Sequence, residues 1–261
     1  MRRLIALLIV LLTLAPALAQ ERDPNIAESI QIGLSTDTVT ITSDFSGADL
    51  TIFGAVDGAD PLISRQGGYD VVVVLEGPAR AVTVWRRARV LGVWVNSRSE
   101  TFVNVPLSYS VSTTRFLQDI TNPTTYKQLS LGAQNIYLQP ERKRANPFIT
   151  EEFTAALRER KLATGLYVER IGGVQFLSQT LFRATLNLPA DVPVGTHRAR
   201  AFLFKHGSFA GETSSTLVIR KAGFEQSVYD IAHQYSMFYG LFAVVLAMVT
   251  GWLGRMIFRR D

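Results

Sequence analysis

From Glu28 to about Ser108, apolar and polar side chains alternate in short runs punctuated by Gly, Pro, Asp and Asn. This period of two limits what the chain can fold into more than any other feature, because it matches a half-buried strand and not a helix. Ile30, Ile32 and Leu34 form one run, Val39 and Ile41 the next, and Leu50 and Ile52 a third before Gly54. Tyr69 to Leu75 holds four consecutive valines and reads as a strand covered on both faces. Glu76-Gly77-Pro78 turns the chain, and Val82 to Trp85, Val93 to Val95 and Phe102 to Val105 follow. About seven short strands at regular spacing predict an antiparallel β-sandwich, with a small barrel as the alternative.

Residues 109–145 are rich in Ser, Thr, Asn and Gln, and are broken by Asn122-Pro123 and Gln139-Pro140. They read as a connecting segment with one short helix near Pro123–Leu131. A longer helix starts near Pro147 or Thr150. Thr150 is suited to cap it, Glu151 and Glu152 face the positive end of its dipole, and Arg158, Arg160 and Lys161 occupy its last turn. Ile149, Phe153, Ala156 and Leu157 give it an apolar stripe that packs on the neighbouring sandwich, and Gly165 terminates it. Strand patterns return from Leu166 to Arg220. Asp191 to His197 resembles the turn entering a late strand of immunoglobulin-like modules, with His197 where an aromatic often stands. The fold class predicted is mainly β: two immunoglobulin-like antiparallel β-sandwiches, at 20–110 and 165–222, joined by 111–164.

Both ends carry targeting signals. Arg2 and Arg3, the apolar stretch Leu4 to Leu14, Pro16 and Ala17-Leu18-Ala19 make residues 1–19 a secretory signal peptide. Its apolar stretch falls short of the roughly 20 residues that cross a bilayer; an uncleaved anchor is the alternative. Near the C-terminus, no charged side chain lies between Asp230 and Arg255. Those roughly 24 residues would make a helix of about 36 Å, enough to span. The expectation is a juxtamembrane helix at 223–235, a single-pass transmembrane helix at 236–254 and a tail at 255–261. With Arg255, Arg259 and Arg260 after the span, the positive-inside rule puts the tail in the cytoplasm and the body outside. The location expected is a bacterial inner membrane, type I, with the body in the periplasm.

Net charge is +5, but each terminus carries +2 of it, which leaves +1 for residues 20–254. A nucleic-acid partner is therefore disfavoured. There is no cysteine, hence no disulfide, thiolate nucleophile or Cys-based zinc site. His197 and His206 would lie about 30 Å apart on one strand, with opposite parity, and cannot share a metal there. His233 lies in the juxtamembrane segment. Ser208 lacks the flanking glycines of a nucleophile elbow, and no phosphate loop, dinucleotide fingerprint or zinc-protease motif occurs. No enzyme, cofactor or metal is expected. Seven carboxylates and no Lys or Arg lie between Asp23 and Ser64, and Asp57-Gly58-Ala59-Asp60 has the look of a calcium loop. Aspartates also serve turns, which is the simpler account.

The opposite cluster is basic: Arg80, Arg86, Arg87, Arg89 and Arg98 lie between Glu76 and Glu100 with no acid among them. Trp85 and Trp94 flank its centre, and a turn at Val90-Leu91-Gly92 would bring Arg86 to Arg89 near Trp94. Arginines beside aromatics can take an oxyanion or a partner's carboxylate; a solvent-facing edge is the plainer reading. Arg86, Arg87, Arg89, Trp85 and Trp94 are thus the candidate ligand or partner residues. In the expected span, Ala243, Ala247 and Gly251 recur at intervals of four, spacing that allows close helix approach.

Several stretches resemble a known family. They are Val39 to Leu50 with Phe53-Gly54, Tyr69 to Val74 with Gly77-Pro78, Val84 to Arg87, Gly92 to Asn96, and the final helix. Together they resemble the alphaproteobacterial putative transmembrane protein family over nearly the full chain. The resemblance brings no catalytic residue with it. It implies a setting beside membrane permeases of the sulfite-exporter type. The function expected is a membrane-anchored periplasmic interaction module, an accessory subunit of such a permease, with the lipid bilayer and the permease as partners. The alternative is a periplasmic solute or anion binder feeding a transporter.

Overall fold

The computed structural model describes residues 28–142, 146–221, 233 and 236–257. Strands β1 (Ser29–Leu34), β2 (Thr38–Ile41), β3 (Ala48–Asp57), β4 (Tyr69–Glu76), β5 (Ala79–Val90) and β6 (Val93–Pro106) lie on the alternating runs, but β5 is longer than its run and β6 joins the runs at Val93–Val95 and Phe102–Val105 into one strand. The short helix α1 (Pro61–Arg65) separates β3 from β4. Then come β7 (Tyr109–Thr113), α2 (Leu117–Ile120), α3 (Pro123–Gln128), a 3-10 turn at Ala133–Asn135, and β8 (Gln139–Pro140). Helix α4 (Pro147–Ala163) precedes β9 (Tyr167–Ile171), β10 (Val174–Phe176), β11 (Leu181–Leu188), β12 (Gly195–Lys205) and β13 (Ser208–Lys221). Helix α5 (Ser236–Ile257) is the last element.

The strands form three sheets: β1-β3-β11-β10, β2-β13-β12-β4-β7-β9 and β5-β6-β8. The six-stranded sheet is the middle layer. Its central strand β4 sends Val71, Val73 and Leu75 into a core shared with the four-stranded sheet, where Ile52, Leu186 and Phe182 also lie. Val72 and Val74 point the other way, into a second core with Tyr109, Phe202, Phe204, Phe102 and Val105. Helix α4 closes that second core with Phe153 and Leu157. The valine run is therefore covered on both faces, as its sequence predicts. Each such fully buried side chain contributes about 1.5–3 kcal/mol relative to exposure.

The two-sandwich fold class needs correction. Strand β3 pairs with β11 from Leu50↔Leu186 through Gly54↔Phe182. Strand β4 pairs with β12 from Leu75↔Ala199 through Tyr69↔Lys205. Strands from 20–110 and from 165–222 thus share both sheets of one sandwich. The β-run before residue 110 has no complete core of its own, and long-range pairing leaves no local signature. The sheet is also not wholly antiparallel: β13 with β2, and β7 with β9, run parallel.

The predicted single-pass transmembrane helix is corrected as well. A helix does form at Ser236–Ile257, but among the described residues no helix is long and apolar enough to cross a membrane. The described helix starts five residues after the uncharged stretch begins and carries Arg255 in its last turn, so the two do not coincide. The signal peptide at 1–19 lies outside the described residues, as does the juxtamembrane helix expected at 223–235 apart from His233. Helix α4 is capped by Asn146, whose side chain accepts from the Phe148 amide, rather than by Thr150.

Candidate functional site: a basic hairpin and a cleft beside the central sheet

The hairpin β5–β6 has a base and an arm that differ in environment. At the base, Phe102 and Val105 are buried and Val82 and Val84 pack against the second core. Beyond Val84 and Glu100 the arm leaves the body, and no residue from Trp85 to Arg98 is buried. Its apex is the two-residue turn Leu91-Gly92, with both residues at positive φ, 49° and 86°. Such turns favour Asn-Gly or Gly-Gly, because a Cβ is strained in the left-handed region. Here a leucine takes the position with its side chain 100% exposed. Neither burial nor turn chemistry accounts for that choice.

Register sorts the arm into two faces. Arg87 opposes Asn96 and Arg89 opposes Trp94, so both arginines share a face with Trp94. The other face carries Ala88 opposite Val95 and Val90 opposite Val93. Sequence reasoning placed Arg86 to Arg89 near Trp94; the structure does this for Arg87 and Arg89. A register shift between Arg86 and Arg87 sets Arg86 apart, opposite Arg98. Arg86 instead reaches α4, 3.1 Å from Glu152, and steadies the arm against the body. Trp85 opposes Ser99 on the body side of that shift. Trp85 and Trp94 are both largely exposed.

A second feature, with no counterpart in the sequence reasoning, is a cleft of about 360 Å³ beside β7 and β9. Its floor is the outward face of the parallel pair, where Val111 opposes Glu169 and Thr113 opposes Ile171. Its walls come from Phe116, Leu117 and Gln118 of the α2 region, Tyr126 of α3, and Gln134 and Asn135 of the 3-10 turn. The turn is held in place by the floor. Tyr109 Oη accepts from the Gly132 amide at 2.9 Å and donates to the Ser130 carbonyl at 3.3 Å. Glu169 Oε1 accepts from the Ala133 amide at 2.6 Å. Gly132 has φ +86°, and a Cβ there would sit 3.1 Å from Leu117 Cδ1. Burial raises the Tyr109 hydroxyl well above the ordinary tyrosine range, so it stays a neutral brace. No sequence motif marks the cleft, because its residues are gathered from five elements.

The remaining candidates have local roles. His197 is fully buried; its Nε2 lies 3.3 Å from Ser108 Oγ and its Nδ1 lies 3.2 Å from the Gly195 carbonyl. His206 is the first residue of the His206-Gly207 turn joining β12 to β13. Among the acidic residues, Asp57 accepts from the Gly58 amide and Asp60 caps α1. Among the described residues no group of three metal-ligating side chains gathers. Glu28 takes two donors, Tyr69 Oη at 2.6 Å and Lys205 Nζ at 2.8 Å. Burial and then that carboxylate push the Tyr69 hydroxyl up to about 12. Ala243, Ala247 and Gly251 lie exposed along α5.

These features define a class: a three-layered β protein whose middle sheet is buried on both faces and which extends a basic, apolar-tipped hairpin. No curated protein matches the chain. The chain belongs to the family described as putative transmembrane protein (Alph_Pro_TM), which matches residues 29–260 and bears out the resemblance seen in its sequence.

Proposed function

We propose that this protein is a membrane-associated interaction module. In this reading the body lies on the periplasmic side of a bacterial inner membrane, and the protein serves an integral-membrane permease as an accessory subunit. It works by docking rather than by catalysis. The observation that carries the reading is the hairpin arm. It is basic on one face, apolar on the other, and tipped by a fully exposed leucine in a strained turn. Exposed tryptophan and arginine are the residues that most often anchor protein interfaces. The exposed Ala243, Ala247 and Gly251 offer a second surface, to a helical partner. Membership of a putative transmembrane family supports the membrane setting.

The test uses the absence of native cysteine. Single Leu91→Cys and Trp94→Cys variants carry a crosslinker in intact cells. The expected result is one crosslinked integral-membrane partner, absent when the crosslinker sits at exposed Leu62, away from the arm. Crosslinking to no membrane protein would overturn the proposal. The second reading, an anion binder, is favoured by Arg87 and Arg89 sharing one face with no acid near them in sequence. A thermal shift with sulfite or sulfate that Arg87→Ala and Arg89→Ala abolish would select it.

A further inference from the structure

We infer that the cleft beside β7 and β9 is a binding site for a small neutral polyhydroxylated ligand of the saccharide class. Its volume of about 360 Å³ falls within the range of small-molecule sites, which begins near 300 Å³. Thr113 is 3% exposed and lines the cleft, and its Oγ1 has no hydrogen-bond partner among the described residues. That hydroxyl is sealed from solvent, so the polar groups a ligand meets first are the exposed ones of the lining.

The chemistry of the lining selects the class. Polar groups at the rim and floor are the carboxamides of Gln118, Gln134 and Asn135 and the carboxylate of Glu169. Planar amides and carboxylates can each engage two neighbouring hydroxyls. Phe116 and Tyr126 add aromatic surface against which a sugar ring's C–H face can lie. An anion is disfavoured, because Glu169 occupies the floor. Arg170 also borders the cleft, but its guanidinium sits 3.4 Å from Asp49 on the sandwich side. A cation is less suited than a neutral ligand, because Glu169 already accepts from the Ala133 amide and the other charged side chain lining the cleft, Arg170, is itself positive. The site lies on the body and is separate from the hairpin arm, so it stands or falls independently of the docking proposal.

The experiment is calorimetric titration of the full chain with glucose, galactose, mannose and N-acetylglucosamine, with choline and sulfate as the cationic and anionic arms. At least one sugar is expected to bind saturably at millimolar concentration or tighter. Phe116→Ala and Gln134→Ala alter exposed residues, which protects the fold, and should each weaken that binding about tenfold. Glu169→Gln keeps an acceptor for the Ala133 amide and should weaken binding while leaving thermal stability near that of the parent. Leu91→Asn on the hairpin should leave binding unchanged. The inference is overturned if no sugar binds, if choline or sulfate binds in preference, or if the cleft variants bind as the parent does.

Discussion

Ser108 and His197 meet inside the sandwich, with Oγ and Nε2 3.3 Å apart, although 89 positions separate them in the chain. His197 Nδ1 faces the Gly195 carbonyl, an acceptor, so the proton belongs on Nδ1 and Nε2 is left to receive the Ser108 hydroxyl. Burial disfavours the charged ring and holds the His197 pKa below its ordinary value. Between that lowered pKa and the unfolded value near 6.5, the unfolded chain binds more protons than the folded one. Stability from this group is therefore complete above about 6.5 and is lost as pH falls below it. Urea midpoints measured from about pH 8 to about pH 5 should drop more steeply for the parent than for His197→Gln. Equal slopes would remove His197 from the account.

Gly77 makes the same corner possible. A Cβ at this residue would lie 2.2 Å from Ser108 Oγ and 3.1 Å from the Ser108 amide nitrogen. Gly77→Ala should destabilise the protein by about 1–3 kcal/mol through overpacking, measured by chemical denaturation. Gly33→Ala has open space at the corresponding Cβ and serves as the control.

The apex of the hairpin should show opposed effects on stability and docking. Leu91→Asn puts at φ 49° a residue that tolerates the left-handed region. It should stabilise the fold by about 1 kcal/mol, read as a rise in the denaturation midpoint. The same substitution should weaken the crosslinked complex proposed above.

A single cooperative unit is expected, because both sheets draw strands from both halves of the chain. Phe202→Ala empties a fully buried position on β12 and should cost about 3–5 kcal/mol. Circular dichroism in the far ultraviolet, from the strands, and in the near ultraviolet, from the buried Tyr109 and Tyr167, should report that loss at one shared midpoint. Residues 28–110 expressed alone should give no cooperative transition, because β3 and β4 would lack β11 and β12.

Helix α4 depends on its cap. Asn146→Ala removes the acceptor for the Phe148 amide and should cost about 1 kcal/mol. Glu152, on the same helix, pairs with Arg86 in an exposed ion pair, and Glu152→Gln should change stability by well under 1 kcal/mol.

Much of this fold could be read from the sequence because alternation is local. The valine run and the late strands lie where their patterns put them, whereas the runs at Val93–Val95 and Phe102–Val105, read as two strands, are one long arm of the hairpin. Two things were not legible. Strand β7 reads as linker because four of the five side chains in Tyr109-Ser110-Val111-Ser112-Thr113 carry a hydroxyl, yet every residue in it is buried between β4 and β9. Ser112 Oγ donates to the Thr185 carbonyl, a partner far away in sequence. Pairing across the chain was likewise invisible, since Leu50 and Leu186 carry no sign of each other. The hairpin's arginines and tryptophans stood out by composition. The cleft did not, because Thr113, Gln134 and Glu169 become a set only after folding.

The position of β12 and β13, between β2 and β4 in the middle sheet, has a consequence for the order of events. As the chain emerges from its N-terminus, the early strands must wait with open edges until residue 221 has arrived. Through that interval the valines of β4 have no lasting shelter. A holdase, or rapid delivery of the remaining chain, would decide whether they find β12 or one another.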